Sequence, residues 1–175
     1  MIAGLILSDN EQLDSEMALL GDELEVYSLE TNQEIVEKIT ELEPEVLAVN
    51  SAGEITREEL SEQEEDLKEE GYSFTPSRTE SKKVKRLQGL KTLIKREMLD
   101  SPDFIRFDPH ITAEELAIEG DKALDGYGVE TSDINSARQF DAVLGSITAR
   151  FYQQEQFQDL GVVVPRNLES DDSKE

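Results

Sequence analysis

Within its first fifty residues the chain sets three short apolar segments, a capped helix, and then a fourth segment that is apolar throughout. Residues 2–8 (I-A-G-L-I-L-S) read as a first strand. The segments Glu16–Leu20 and Leu24–Leu29 read as two more, parted by the tight-turn dipeptide Gly21-Asp22. Thr31 opens a helix, with Glu34 three positions later completing a capping box. Ile35, Ile39 and Leu42 fall three to four apart on one face of it. Pro44 stops the helix, and Val46 to Asn50 is the short apolar run expected in the middle of a sheet. Three meandering strands, a helix and a buried strand predict a mixed sheet.

The rest of the chain continues the alternation. Residues 54–70 are Glu-rich and predict a helix, and residues 71–80, with Gly71, Pro76 and two serines, a loop. A helix is expected from about Ser81 to Leu99, with Val84, Leu87, Leu90 and Ile94 on its apolar face. Phe104–Asp108 reads as a strand stopped by Pro109. Thr112 with Glu115 reads as a second capping box, and Gly120 closes that short helix. Residues 121–131 are expected to be loop. A long helix is predicted from Ser132 or Asp133 to Gln156, followed by a last strand at 161–165. No internal repeat is visible. One domain over residues 1–168 and a disordered acidic tail at 169–175 are expected.

Composition narrows the chemistry. The 175 residues contain no cysteine, which removes disulfides, zinc–thiolate sites and thiol nucleophiles. The single histidine, His110, removes multi-histidine metal sites. No apolar run has the length of a membrane span, and a cytoplasmic protein is the expectation. Forty-one acidic residues against 17 Lys and Arg give a formal charge of −24. Such self-repulsion is screened in concentrated salt, where the Debye length is about 3 Å at 1 M, so adaptation to a salt-rich cell is expected. The same charge opposes non-specific binding to a phosphate backbone.

Several segments, in order, resemble the uncharacterised predicted-nuclease family of ribonuclease H-like proteins known as domain of unknown function 429. They are I-A-G-L-I-L-S, V-L-A-V-N-S-A at 46–52, L-K-E-E-G-Y-S-F-T-P-S at 67–77, L-Q-G-L at 87–90, F-I-R-F-D-P-H at 104–110, and R-Q-F-D-A-V-L-G-S-I-T-A at 138–149 followed by G-V-V-V-P. The resemblance implies a ribonuclease H-like α/β fold, with a mixed sheet of five or six strands flanked by helices. It also implies a site where carboxylates gather divalent ions, Mg²⁺ or Mn²⁺, for phosphodiester hydrolysis. Such chemistry needs two hard cations about 3.5–4 Å apart on several oxygen ligands.

The departures from that pattern fall on the site itself. Two of the family's aspartate positions are Ile6 and Asn50, its glutamate position is Arg106, and only Asp141 stays acidic. Lost nuclease activity follows, with no cofactor and a role in binding or scaffolding. Asp141, on the apolar stripe of its helix, is either a vestigial ligand or a structural carboxylate with a partner such as Asn50 or Arg106. Asn50 has the plainer alternative of capping the turn after its strand. Asp9 and Asp108, both at predicted strand ends, are the alternative acids for a displaced site. An active metal-dependent nuclease, or a regulatory subunit of an active paralogue, are the competing functions. The stretch Lys82 to Arg96 holds seven of the 17 cations and no acid. Lys82, Lys83, Lys85 and Arg86 are its candidate nucleic-acid contacts. The alternative pairs this helix with the acidic one before it, or with solvent, and no aromatic in the stretch offers a base a stacking surface. A nucleic acid and a protein are both open as partners.

Overall fold

A computed structural model describes residues 1–9, 11–51, 57–74 and 82–166. Strands β1 (Ile2–Ile6), β2 (Ser15–Leu20) and β3 (Leu24–Leu29) form the antiparallel meander. Helix α1 (Asn32–Leu42) then carries the chain to β4 (Val46–Val49), parallel to β1. After α2 (Arg57–Glu69) and α3 (Lys82–Glu97), β5 (Asp103–Arg106) adds parallel to β4. The sheet is mixed and five-stranded, in the order β3-β2-β1-β4-β5, with helices against it. This is a ribonuclease H-like arrangement, as expected from the sequence.

Period-two alternation splits the core into two layers. Ile2, Ile6, Ala18, Val46, Ala48 and Ile105 pack toward α5 (Ala137–Gln153). Leu5, Met17, Leu47 and Val49 pack on the other face with Ile35 and Ile39 of α1 and Leu87, Leu90 and Ile94 of α3. Gly4 and Gly145 meet where α5 crosses β1, so the helix rests directly on the strand backbone. No helix among the described residues is long and apolar enough to cross a membrane.

The capping box at Thr31 and Glu34 is present, with the Glu34 amide donating to Thr31 Oγ1 at 3.1 Å. Other boundaries differ from expectation. Helix α4 (Pro109–Glu115) starts at Pro109, not Thr112. Asp108 caps it and Pro109 occupies the first turn, where a missing N–H costs nothing. Thr112 lies inside α4, buried, with its hydroxyl 2.8 Å from that of Thr148 on α5. Helix α5 starts at Ala137, because Ser136 Oγ accepts the Gln139 amide at 3.1 Å; Ser132 and Asp133 precede it. A 3-10 helix, not an open loop, spans Asp121–Tyr127. The last strand, β7 (Val163–Pro165), stays outside the main sheet and pairs with β6 (Phe157–Asp159), a strand not expected from the sequence, and α5 ends at Gln153 where helix was expected to Gln156. Arg166, just past β7, joins Glu115 of α4, which also accepts from Tyr72 at 2.7 Å. The expected tail at 169–175 and most of the 71–80 loop lie outside the described residues.

Candidate functional site

The carboxyl ends of β1, β4 and β5 open on the α5 side of the sheet. By strand phase Ile6 and Asn50 both point there, and the β1–β4 register runs Leu5 opposite Val49, so they are next to one another. Ile6 is buried in the apolar layer under α5. The Asn50 side chain bridges the strands: its Oδ1 accepts the Leu7 amide at 2.8 Å, extending the β1–β4 pairing by one residue. One of the two lone pairs that this carbonyl could offer a metal is thereby engaged.

Asp141 is half-buried on the flank of α5 that leads, one turn on, to Leu144 and Thr148 beside α4. Its charged neighbours are His110, Asp108 and Arg138. Arg106 occupies a different place. Phe104 packs in the α1–α3 layer and Ile105 in the α5 layer, so alternation turns Arg106 away from α5. There it reaches Gln63 of α2 at 3.5 Å, and Asp108 and Glu64 favour its charge while burial lowers its pKa. Arg106 is therefore turned away from Asp141, with which the sequence led us to expect it to pair, and the charges that act on Asp141 are those of His110, Asp108 and Arg138. Asp108 is buried, and its Oδ1 accepts the amides of His110 (2.9 Å) and Ile111 (3.4 Å). Asp9 is exposed on the loop after β1.

Glu16 is the carboxylate that motif matching passes over. It is directly opposite Ile6 in the β1–β2 register, 8% exposed, with Ser28 Oγ donating at 2.6 Å and Gln139 Nε2 of α5 at 3.5 Å. Its phase was the available signal, since Ala18 and Leu20 at the same parity are core residues.

The donor set does not fit a two-metal centre. Ile6 offers no ligand, Asn50 Oδ1 and Asp108 Oδ1 serve backbone amides, and Glu16 is bound by Ser28. Among the described residues no group of three or more His, Cys, Asp or Glu side chains is placed to hold a metal ion. What remains is the half-buried carboxyl of Asp141. Burial pushes Asp141 above the usual carboxylate range; His110 pulls it down, Asp108 adds to the rise, and Arg138 opposes it.

The sign of the pH effect follows. The folded chain binds the Asp141 proton more tightly than the unfolded chain, whose carboxyl titrates near ~3.9. That contribution to stability is complete below the unfolded value and is lost as pH rises through the folded one. Asp141→Asn cannot ionise, so as pH rises from the unfolded value its melting midpoint should fall less than the parent's. Identical profiles for the two proteins would show that Asp141 carries no such strain.

The proposed basic contact also changes. Lys82 and Lys85 are exposed and Lys83 is partly so, but Arg86 is 8% exposed and turned inward. Its guanidinium donates to the Ser8 carbonyl (3.0 Å), Ser8 Oγ (2.6 Å), the Glu30 carbonyl (3.3 Å) and Asn32 Oδ1 (2.7 Å). Arg86 therefore ties the β1–β2 and β3–α1 connections to α3 and is removed from the set of nucleic-acid contacts.

No family model and no curated protein matches the sequence. Among solved structures the chain is similar to RuvC of T. thermophilus, solved in complex with a Holliday junction substrate. The TM-score is 0.52 at 10% sequence identity, over 94% of this chain and 99% of that one. At that identity the likeness carries the fold, that of ribonuclease H-like nucleases.

Proposed function

We propose that this chain is a catalytically degenerate ribonuclease H-like protein, derived from the predicted-nuclease family its segments resemble, that serves as a binding or scaffolding module. The Asn50 side chain carries the proposal. At the strand end where the resemblance puts a metal-binding aspartate, its acceptor holds the Leu7 amide at 2.8 Å. Ile6 beside it and the protonation-prone Asp141 support the same conclusion. Incubated with Mg²⁺ or Mn²⁺, the protein should leave four-way junctions, single strands and structured RNA uncut. Metal-dependent cleavage abolished by Asp141→Asn would refute the proposal. It would favour instead a nuclease with displaced carboxylates, a reading that has the charge of Asp108 near Asp141 behind it.

The charge of −24 is, on the same proposal, an adaptation to a salt-rich cytoplasm. The melting temperature should then climb steeply from dilute buffer to molar potassium chloride. A midpoint indifferent to salt over that range would rule the adaptation out.

A further inference from the structure

We propose that the channel between the outer faces of α1 and α3 is a docking groove for an amphipathic helix of another protein, whose apolar stripe is flanked by Lys or Arg. The channel encloses about 590 Å³. Its floor is Val36, Thr40 and Leu93, and its rim is Glu37, Glu41 and Glu97. Val36, buried, and Leu93, partly buried, belong to the apolar layer that holds α1 and α3 to the sheet, so that layer borders the groove. Two helices packed side by side leave a furrow that a third can fill ridge into groove. The eleven residues of α1 run about 16 Å, three turns, enough for anchors at i, i+3, i+4 and i+7.

Charge selects the occupant. No cation lines the groove. Lys38, the one cation of α1, is spent on Glu41 at 3.3 Å and on the Tyr27 ring at 4.5 Å. The exposed cations of α3, Lys82, Lys85, Lys95 and Arg96, are outside the lining. Glu37 has only the neutral amide of Gln33, at 2.9 Å. A visiting Lys or Arg meets Glu37 and Glu97, with Glu41 shared with Lys38, at the edge of an apolar floor, which favours both its charge and its aliphatic stem. A second copy of this chain would bring another surface of net charge −24 against the same rim. The groove lies on the opposite face of the sheet from Asp141, so its fate is separable from that of the cleft.

The probe is a fluorescein-labelled helical peptide with leucines at i, i+3, i+4 and i+7 and lysines on both flanks, titrated with the full chain and followed by anisotropy. Saturable binding is expected. It should weaken about tenfold or more both in Leu93→Ser and in the triple variant Glu37→Gln, Glu41→Gln, Glu97→Gln. It should be unchanged in Glu58→Gln, Glu62→Gln, Glu65→Gln, an equal change of charge on the exposed face of α2. These exposed Glu→Gln changes leave the core intact. Equal weakening in both triple variants would reduce the effect to bulk charge and overturn the proposal, as would no saturable binding. So would a dimer in sedimentation that Leu93→Ser dissolves, because the groove would then belong to a second copy.

Discussion

Gly4→Ala is expected to yield no folded protein. A methyl group at position 4 would lie 2.2 Å from the Ala142 carbonyl oxygen, 2.5 Å from the Ser146 nitrogen and 2.7 Å from the Gly145 carbonyl carbon. All three are main-chain atoms of α5, so no side chain can turn aside; the helix must lift off the sheet. Lifting it opens the layer of Ile6, Ala48, Leu144 and Ile147 along its whole length. A cost above about 4–5 kcal/mol is reserved for such events and approaches the total stability of a domain, ~5–15 kcal/mol. Gly89→Ala is the control. Gly89 is exposed inside α3 with nothing within 4 Å of an added Cβ, so the change should stabilise by about 0.5–1 kcal/mol. Circular dichroism and urea melts of the two variants would check both. A folded Gly4→Ala protein with near-parental stability would mean that α5 does not rest on β1 as described.

Arg86→Met should cost at least about 1–3 kcal/mol, the penalty for leaving a buried acceptor without its donor. Methionine keeps the apolar stem of the side chain, so the loss belongs to the guanidinium. Without it the Ser8 and Glu30 carbonyls and Asn32 Oδ1 each lose a donor, and the β1–β2 connection loses its tie to α3. Burial holds the Arg86 pKa below its ordinary value, with Glu11 opposing, yet arginine remains charged there. Lys85→Met, one position earlier and exposed, should change stability by no more than about 0.5 kcal/mol. Thermal melts distinguish the two. Equal small effects would place Arg86 among ordinary surface cations and restore it as a candidate contact for nucleic acid.

That contrast also shows what could be read from the sequence. Taken as charge, Lys82 to Arg96 is a single basic run. Taken by helical phase, Arg86 falls about one turn before Leu90, at the edge of the buried side, while Lys85 falls on the opposite side. Strand lengths, the Thr31–Glu34 box and the apolar run at 46–49 were enough for the mixed sheet, because each is a local signal. The start of α4 was legible too: an aspartate before a proline is a helix opening as well as a strand stop. Strand β6 was not, since three residues, two of them exposed, carry no periodicity. At the site, the resemblance pointed to Ile6, Asn50, Arg106 and Asp141 but not to the neighbours that these side chains have. The hydrogen bond from Leu7 to Asn50, the turn of Arg106 toward α2 and the arrival of His110 beside Asp141 all depend on register and strand phase across distant segments.

The proposed degeneracy requires that the strand ends hold no metal pair. Manganese titration of the isotope-labelled protein, read as paramagnetic broadening of amide signals, tests it residue by residue. Only weak, diffuse broadening over the acidic surface is predicted, with Leu7, Asn50 and Asp141 no more affected than Glu58 or Glu62. Saturable broadening centred on Leu7, Asn50, Asp108 and Asp141, lost in Asp141→Asn, would contradict it and restore a working metal site to this fold.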